Sequence, residues 1–512
     1  MNIGEWTTYW TISEWMIRVV MLPVIVMRKE RPATCLAWLT VVFFAPVPGL
    51  LLYLLLGENR LGRRRLEVRK SRWAKLESVN APTVGSHYVS DSYASDSSEI
   101  WGEPSPADTD DHPTDVTLPT GVMKKAELAP EVQPLSDLAF RLTGWPYTTA
   151  NQVSFLCDPL LTIDRLVAEI DSAIDHVHLL YFIFRDDEVG RRVADALIRA
   201  TQRGVQCRVL VDAVGSRHML KHLAGHLRDA GVEVCPALPV RLYRIPFARL
   251  DLRNHRKLAI IDGRVAYTGS QNIVEPTYGQ RRAGPWHDIT ARIVGPSVPH
   301  LQLLFLEDWF HETGQWLDEP RYFPPTEEGG DTILQLLPSG PDMPTELFQD
   351  LLVKAIFLAQ RRVILTTPYF VPDEPLTMAL RLAAFRGVQV DLVLPLRTDH
   401  PLVDAAGEFH WRRLSQHGVQ VHFFREGLLH AKTLTIDDRL GLFGSANYDI
   451  RSFHLNFEVN LLIYSAKAVQ DLQELQIRYL SASAPLTAER EKSLSTIRKL
   501  AIHLAKLLSP LL

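Results

Sequence analysis

Residues 255–272 read HRKLAIIDGRVAYTGSQN, and residues 430–447 read HAKTLTIDDRLGLFGSAN. Both obey H-x-K-x4-D-x6-G-S-x-N with no change in spacing. His255, Lys257, Asp262, Gly269, Ser270 and Asn272 answer to His430, Lys432, Asp437, Gly444, Ser445 and Asn447. Six positions fixed at roughly one chance in twenty would recur by accident about once in 10^7 to 10^8 registers. Two copies in 512 residues therefore mark a duplication, and the rest of the chain is read around it.

Each copy has the same local grammar. Residues 257–262 and 432–437 are short apolar or alternating strands, and Gly263-Arg264 and Asp438-Arg439 turn the chain into return strands at 265–268 and 440–443. His and Lys, two apart, project from one face. Gly-Ser-x-Asn ends the return strand, where Gly permits close approach and Ser and Asn offer hydrogen bonds.

Outward from the motifs the duplication continues. Arg203-Gly204-Val205-Gln206 recurs as Arg386-Gly387-Val388-Gln389, and Gly231-Val232-Glu233-Val234 as Gly418-Val419-Gln420-Val421. Apolar strands at 176–184, 205–212 and 232–237 alternate with amphipathic helices at 188–202 and 216–229. After residue 340 the strands are 361–366, 388–395 and 419–424. This alternation predicts an α/β fold built from βαβ units. The expected architecture is two pseudo-symmetric lobes, 135–325 and 326–485, packed around one active site. N-terminal transmembrane helices precede them.

The first 75 residues read as a membrane region. Residues 32–57 hold no charged side chain over 26 positions, whereas about 20 apolar residues span a bilayer. Trp38 and Tyr53 stand near the ends as interfacial anchors, and Pro46, Pro48 and Gly49 make the segment a kinked span or a re-entrant hairpin. Residues 15–27, with Arg18 inside, are the weaker candidate. The basic cluster Arg60, Arg63, Arg64, Arg65, Arg69, Lys70, Arg72 and Lys75 predicts a cytoplasmic catalytic body on the inner membrane, in a multi-pass protein.

Residues 76–134 are read as a disordered acidic linker; from 76 to 123 there is no Lys or Arg. Residues 486–512 are read as an amphipathic helix, with Leu494, Ile497, Leu500, Ala501, Leu504 and Leu508 opposite Arg498, Lys499 and Lys506. It suits either a lipid surface or the catalytic body.

Net charge is −4, which gives no general attraction to nucleic acid. Cys35, Cys157, Cys207 and Cys235 are scattered without metal spacing and are read as reduced and structural. No acidic cluster suits a metal, no cofactor is called for, and no oligomeric state is legible.

Brought together, two His, two Lys, two Ser and two Asn suit phosphoryl chemistry. Cations and amides can hold the non-bridging oxygens of a phosphate. One imidazole can attack phosphorus while the other protonates the leaving alkoxide. Each imidazole needs a partner on its second nitrogen. Downstream candidates are Asp288, 33 residues after His255, and Glu458, 28 residues after His430. A salt bridge to a motif lysine is the competing role for both. Asp262 and Asp437 stand at strand-to-turn positions, where they serve as catalytic groups or turn caps.

These residues resemble the HKD motifs of the phospholipase D superfamily. The flanking Tyr369-Phe370-Val371-Pro372, Gly427-Leu428-Leu429-His430, Asn447-Tyr448-Asp449-Ile450-Arg451-Ser452 and Ser509-Pro510-Leu511-Leu512 resemble its bacterial cardiolipin synthase branch. The resemblance implies two phospholipase D-like α/β/α lobes. It also implies phosphatidyl transfer between two phosphatidylglycerol molecules, giving cardiolipin and glycerol. His255 would be the nucleophile and His430 the general acid/base. Two other readings remain: a membrane-bound phospholipase D-type phosphodiesterase or nuclease, and a non-catalytic scaffold.

Overall fold

The computed structural model describes residues 3–29, 32–57, 65, 128–240, 249, 251–278, 283–326, 329–343, 346–487 and 495–507. The basic cluster apart from Arg65, and the linker as far as residue 127, lie outside the described residues.

Strands in the first half are β1 Tyr147–Leu156, β2 His176–Tyr181, β3 Gln206–Asp212, β4 Glu233–Ala237, β5 Arg253–Asn254, β6 Lys257–Ile261, β7 Val265–Gly269, β8 Trp286–His287 and β9 Thr290–Val294. The second half supplies β10 Thr332–Ser339, β11 Arg362–Thr366, β12 Phe370–Val371, β13 Gln389–Pro395, β14 Gln420–Phe424, β15 Leu428–Leu429, β16 Thr433–Ile436, β17 Leu440–Gly444, β18 Tyr448–Asp449, β19 Asn456–Ile463 and β20 Ser483–Pro485. The mixed α/β expectation holds.

Among the described residues, sixteen strands share one sheet. Its main path runs β4-β3-β2-β6-β7-β9-β1-β10-β19-β17-β16-β11-β13-β14-β20. Read from the centre, β1-β9-β7-β6-β2-β3-β4 and β10-β19-β17-β16-β11-β13-β14 are the same series. In each series the outer three strands are parallel, and the motif hairpin lies antiparallel beside them. Helices cover both faces, which is why β2 and β19 are buried at every position, their polar His176, His178, Asn456, Glu458 and Asn460 included. The helix Glu188–Gln202 shows the local logic. Asp187 caps it by accepting from the Gly190 N–H, and Val189, Val193, Ala196, Leu197 and Ala200 form its buried stripe. The core crosses the centre of the sheet: Leu258, Ile260 and Ile293 belong to one cluster with Ile364, Val393, Phe443 and Leu461.

The two central strands were not read from the sequence. β1 carries Thr148, Thr149, Asn151, Gln152 and Ser154, so its alternation is blurred. A register shift falls between Thr148 and Asn151, with Ala150 at φ 59°. The linker also ends earlier than residue 134. Leu128 and Val132 are already buried in the core, and the helix Gln133–Thr143 follows. The stretch 216–229 is two short helices, Arg217–His222 and Ala224–Asp229.

The membrane candidates exchange rank. Within the helix Ile3–Arg28, the 23-residue segment Trp6–Arg28 is the one among the described residues long and apolar enough to cross a bilayer. Arg18 is accommodated by Glu14 at 3.3 Å and by the Trp15 ring. The uncharged stretch 32–57 is instead broken. The helix Pro32–Phe44 stops at Ala45, whose ψ of 76° leaves the helical region ahead of Pro46, and Pro46–Leu52 is a separate helix. Gly49 packs so closely that a Cβ there would meet the Val42 backbone at 2.8 Å. The two pieces and the long helix close a small cluster of Met21, Ile25, Val42 and Tyr53. All four cysteines are free; Cys207 is buried, but Cys157 is exposed and packs no core.

Candidate active site

Two-residue strands position the histidines. β5, immediately before His255, pairs in parallel with the start of β19, Asn254 facing Phe457. β15, immediately before His430, pairs in parallel with β8, Leu429 facing His287. The His255 N–H donates to the Phe457 carbonyl at 2.9 Å, and the His430 N–H donates to the His287 carbonyl at 2.9 Å. The residue after each of those carbonyls is a carboxylate, Glu458 or Asp288.

Each imidazole therefore meets the carboxylate of the other half. His255 Nδ1 lies 2.9 Å from Glu458 Oε2, and His430 Nδ1 lies 2.6 Å from Asp288 Oδ1. This corrects the expectation that paired Asp288 with His255 and Glu458 with His430 by their downstream spacing. The serines complete the crossing. Ser270 Oγ donates to Asp288 Oδ1 at 2.6 Å, and Ser445 Oγ donates to Glu458 Oε2 at 2.6 Å. Each serine oxygen also accepts a backbone N–H, from Ile289 and Val459 respectively. Two matched chains result: His255–Glu458–Ser445 and His430–Asp288–Ser270.

Lys257 and Lys432 are both 1% exposed, and each donates from Nζ to its own histidine carbonyl at 2.6 Å. Burial of an ammonium disfavours its charge, so Lys257 falls to about 8, partly rescued by Glu458 and Asp288. Lys432 is lowered in the same direction. Burial likewise lowers both imidazoles to about 4, against the pull of the carboxylates and with the push of the lysines. Burial opposes the charge of Asp288, yet His430, Lys432 and Ser270 hold it down at about 2. Glu458 is lowered too, its burial outweighed by His255, Lys257 and Ser445. At neutral pH the site thus holds two neutral imidazoles, two carboxylates and two lysines. With Nδ1–H given to a carboxylate, each Nε2 carries the lone pair. The field of Lys432 reaches His255 and that of Lys257 reaches His430, so the two motifs share one electrostatic environment.

Of the remaining expected residues, Asn272 accepts the Ile183 N–H at 3.0 Å, and Asn447 has a buried Oδ1 with no partner among the described residues. Asp262 and Asp437 do not join the cluster. Each follows the far end of the strand whose near end carries the lysine. Asp262 accepts from the backbone N–H groups of Ile174, Asp175 and His176, and Asp437 from those of Gln360, Arg361 and Arg362. Both sit at positive φ, 52° and 51°, which a short polar side chain tolerates. Of the two roles read for these aspartates, catalytic group or turn cap, the hydrogen bonds are those of a cap.

Sequence reasoning missed several neighbours. The Phe182 ring lies 4.8 Å from His255 and the Trp286 ring 4.4 Å from His430. Asn456 Nδ2 donates to Glu458 Oε1 at 3.2 Å. Arg256, inside the first motif, donates to the Glu458 carbonyl at 3.1 Å and pairs with Asp308 at 2.6 Å. Its counterpart is Ala431, so this clamp belongs to one half alone. Among the described residues no group of three or more His, Cys, Asp or Glu side chains is placed to hold a metal.

A family model described as "Cardiolipin synthase, PLD-like domain" matches residues 166–282 and 352–478. Proteins named Cardiolipin synthase A from Serratia proteamaculans (strain 568) and Yersinia pseudotuberculosis serotype O:1b (strain IP 31758) are each 32% identical over 521 residues, covering 99% of this chain and 100% of theirs. The chain belongs to the cardiolipin synthase family. The crystal structure of phosphatidylserine synthase from Haemophilus influenzae Rd KW20 superposes with a TM-score of 0.58 at 15% identity, over 74% of this chain and 99% of that one. That likeness speaks to the fold. Of the two segments matching the cardiolipin synthase family model, the first takes in residues 255–272 and the second takes in 430–447 and Glu458. Asp288 lies just beyond the first.

Proposed function

We propose that this chain is a cardiolipin synthase, a phosphatidyltransferase acting on two molecules of phosphatidylglycerol, in which two phospholipase D-like lobes enclose a single site. The observation that carries the reading is the crossed arrangement of His255 on Glu458 and His430 on Asp288. It makes each half incomplete without the other.

The reaction balances without a cofactor. Nε2 of His255 attacks the phosphorus of the first phosphatidylglycerol, and the bond from phosphorus to the headgroup glycerol oxygen breaks. His430, protonated as the anionic lipid enters, gives its proton to that oxygen, and glycerol departs. The phosphatidyl group is then held as a phosphohistidine on His255. A hydroxyl of the second phosphatidylglycerol attacks phosphorus, His430 takes its proton, and the P–N bond breaks. Cardiolipin leaves with both residues restored.

Lys257, Lys432, Asn272 and Asn447 hold the non-bridging oxygens as their charge grows. Glu458 and Asp288 fix the tautomers and stabilise whichever imidazole carries charge, with Ser270 and Ser445 steadying the carboxylates. The near symmetry allows the two histidines to exchange roles, and the resemblance favours His255 as nucleophile. The protein sits in the inner membrane with its catalytic body on the cytoplasmic side. The helix Ile3–Arg28 and the hairpin after it anchor the body there, and the basic cluster after residue 57 sets the sidedness.

Incubation of the purified full-length protein with labelled phosphatidylglycerol tests the reading. Cardiolipin plus glycerol is expected. Phosphatidic acid alone would instead make it a phosphodiesterase, and no turnover would leave a scaffold.

A further inference from the structure

The helix Thr496–Leu507 is apolar on two faces. Ile502 and Ala505 are buried, Ala505 in a cluster with Val371 and with Ala406 of the helix Pro401–Ser415. Ile497, Leu500 and Leu504, spaced three and four apart, form a second stripe that is 82%, 60% and 54% exposed. Leu396 and Leu402 are also open to solvent, at 40% and 43%. Leu396 and Pro401 line the same cavity as Ile502, which places these apolar side chains near the helix.

That cavity, of about 410 Å³, lies under the helix and is walled by Tyr369, Arg397, Trp411, Arg498 and Ile502. The helix is thus a roof, tied at its edges by Arg498 to Glu408 at 3.2 Å and by Lys506 over the Phe409 ring at 4.0 Å. The cavity opens where β11 and β13 end. Thr366, the last residue of β11, pairs with Thr433, the neighbour of Lys432. The roof therefore stands on the side of the sheet where β11 ends and β16 begins, next to Lys432.

Charge selects the occupant of the stripe. The helix holds Arg498, Lys499 and Lys506 with no Asp or Glu, in a chain whose net charge is −4. Apolar side chains bordered by cations are the pattern of a helix lying in an anionic lipid interface. We propose that the stripe Ile497, Leu500 and Leu504 docks on an anionic bilayer and turns the catalytic edge of the second half toward the lipid. The long N-terminal helix tethers the chain, and this helix sets the orientation of the body.

The test uses the full chain in proteoliposomes. Cys157→Ser removes the exposed thiol, and Leu500→Cys carries an environment-sensitive fluorophore, read against the same chain without Leu500→Cys. In phosphatidylglycerol vesicles the label should be quenched by nitroxide lipids, and Leu504→Glu should lower that quenching about tenfold. Leu504→Glu should also lower turnover on vesicles severalfold while leaving turnover in detergent micelles unchanged. A label that stays unquenched overturns the proposal. So does one shielded only in a detergent-solubilised dimer, since a second copy then covers the stripe. Equal quenching in phosphatidylcholine vesicles overturns the role given to charge. Quenching reads docking even if no cardiolipin is formed, so failure of this inference and failure of the reaction assignment are separable.

Discussion

The two ends of β6 and β16 carry motif residues of equal rank in the sequence and use them differently. At one end His255 and His430 reach across to carboxylates of the other half, at 2.9 and 2.6 Å. At the other end Asp262 and Asp437 stay within their own half and collect backbone N–H groups. A repeated motif therefore combines two requirements. One end is fixed by contacts across the halves and the other by the turn that delivers it, and spacing alone does not separate them.

The largest effect should come from the crossing end. His255→Ala and His430→Ala are each expected to lower transfer by about 10^4-fold or more, because each removes a group no neighbour replaces. Circular dichroism should show the fold intact. Near-normal activity in either variant would break the paired-imidazole scheme.

The carboxylates sharpen the crossing itself. Glu458→Gln should cost about 10^2 to 10^3-fold in transfer. It should also alter the Nδ1 proton resonance of His255 while leaving that of His430 in place. Asp288→Asn should do the converse. If Glu458→Gln perturbs His430 instead, the exchange of partners between halves is wrong.

Acidity tests the same end more gently. Both imidazoles fall from 6.5 to about 4 on burial, so the unfolded chain takes up protons between those values while the native site does not. Their contribution to stability is complete above about pH 6.5 and is lost as pH falls toward 4. Lys257, lowered to about 8, should give kcat/KM an alkaline limb near that pH as its charge is lost. A profile flat from pH 7 to 10 would remove the lysine from phosphate binding.

Much of this was legible in the sequence, and the failures have a common cause. The two motifs, the α/β alternation and the His, Lys and Ser content of the site follow from local pattern. The partners of His255 and His430 do not, because they depend on β5 pairing with β19 and β15 with β8. Each of those pairings is only two residues long and joins segments some 140 to 200 residues apart in the chain. Asp288 and Glu458 were named, and the topology decided which histidine each one serves. β1 and β10 were missed for a related reason. They hold the centre of the sheet, where packing on neighbouring strands specifies β1 despite its polar, bulged sequence. Near the N-terminus the uncharged stretch 32–57 reads as a kinked span or a re-entrant hairpin, and the fold breaks it at Ala45. Pro46 matters more than the missing charge, since one proline divides a stretch of sufficient length, whereas Arg18 paired with Glu14 leaves its helix whole.

The smallest effect on chemistry, and the clearest on folding, is expected at the aspartate end. Asp437 is 5% exposed, and its carboxylate receives the N–H groups of Gln360, Arg361 and Arg362, the two arginine amides at 2.7 Å. These are the amides that open β11, so the cap joins the motif turn to the strand beside it. Asp437→Ala leaves three half-buried N–H groups without their acceptor and places a Cβ-bearing residue with no polar group at φ 51°. It should destabilise the fold by about 1–3 kcal/mol, visible as a lower Tm. Turnover at a temperature where the variant remains folded should stay within a few-fold of the parent. Asp437→Asn, which keeps an acceptor oxygen and tolerates positive φ, should recover part of the loss. A variant that melts normally but no longer transfers phosphatidyl groups would return Asp437 to the chemistry and erase the distinction between the two ends of the strand.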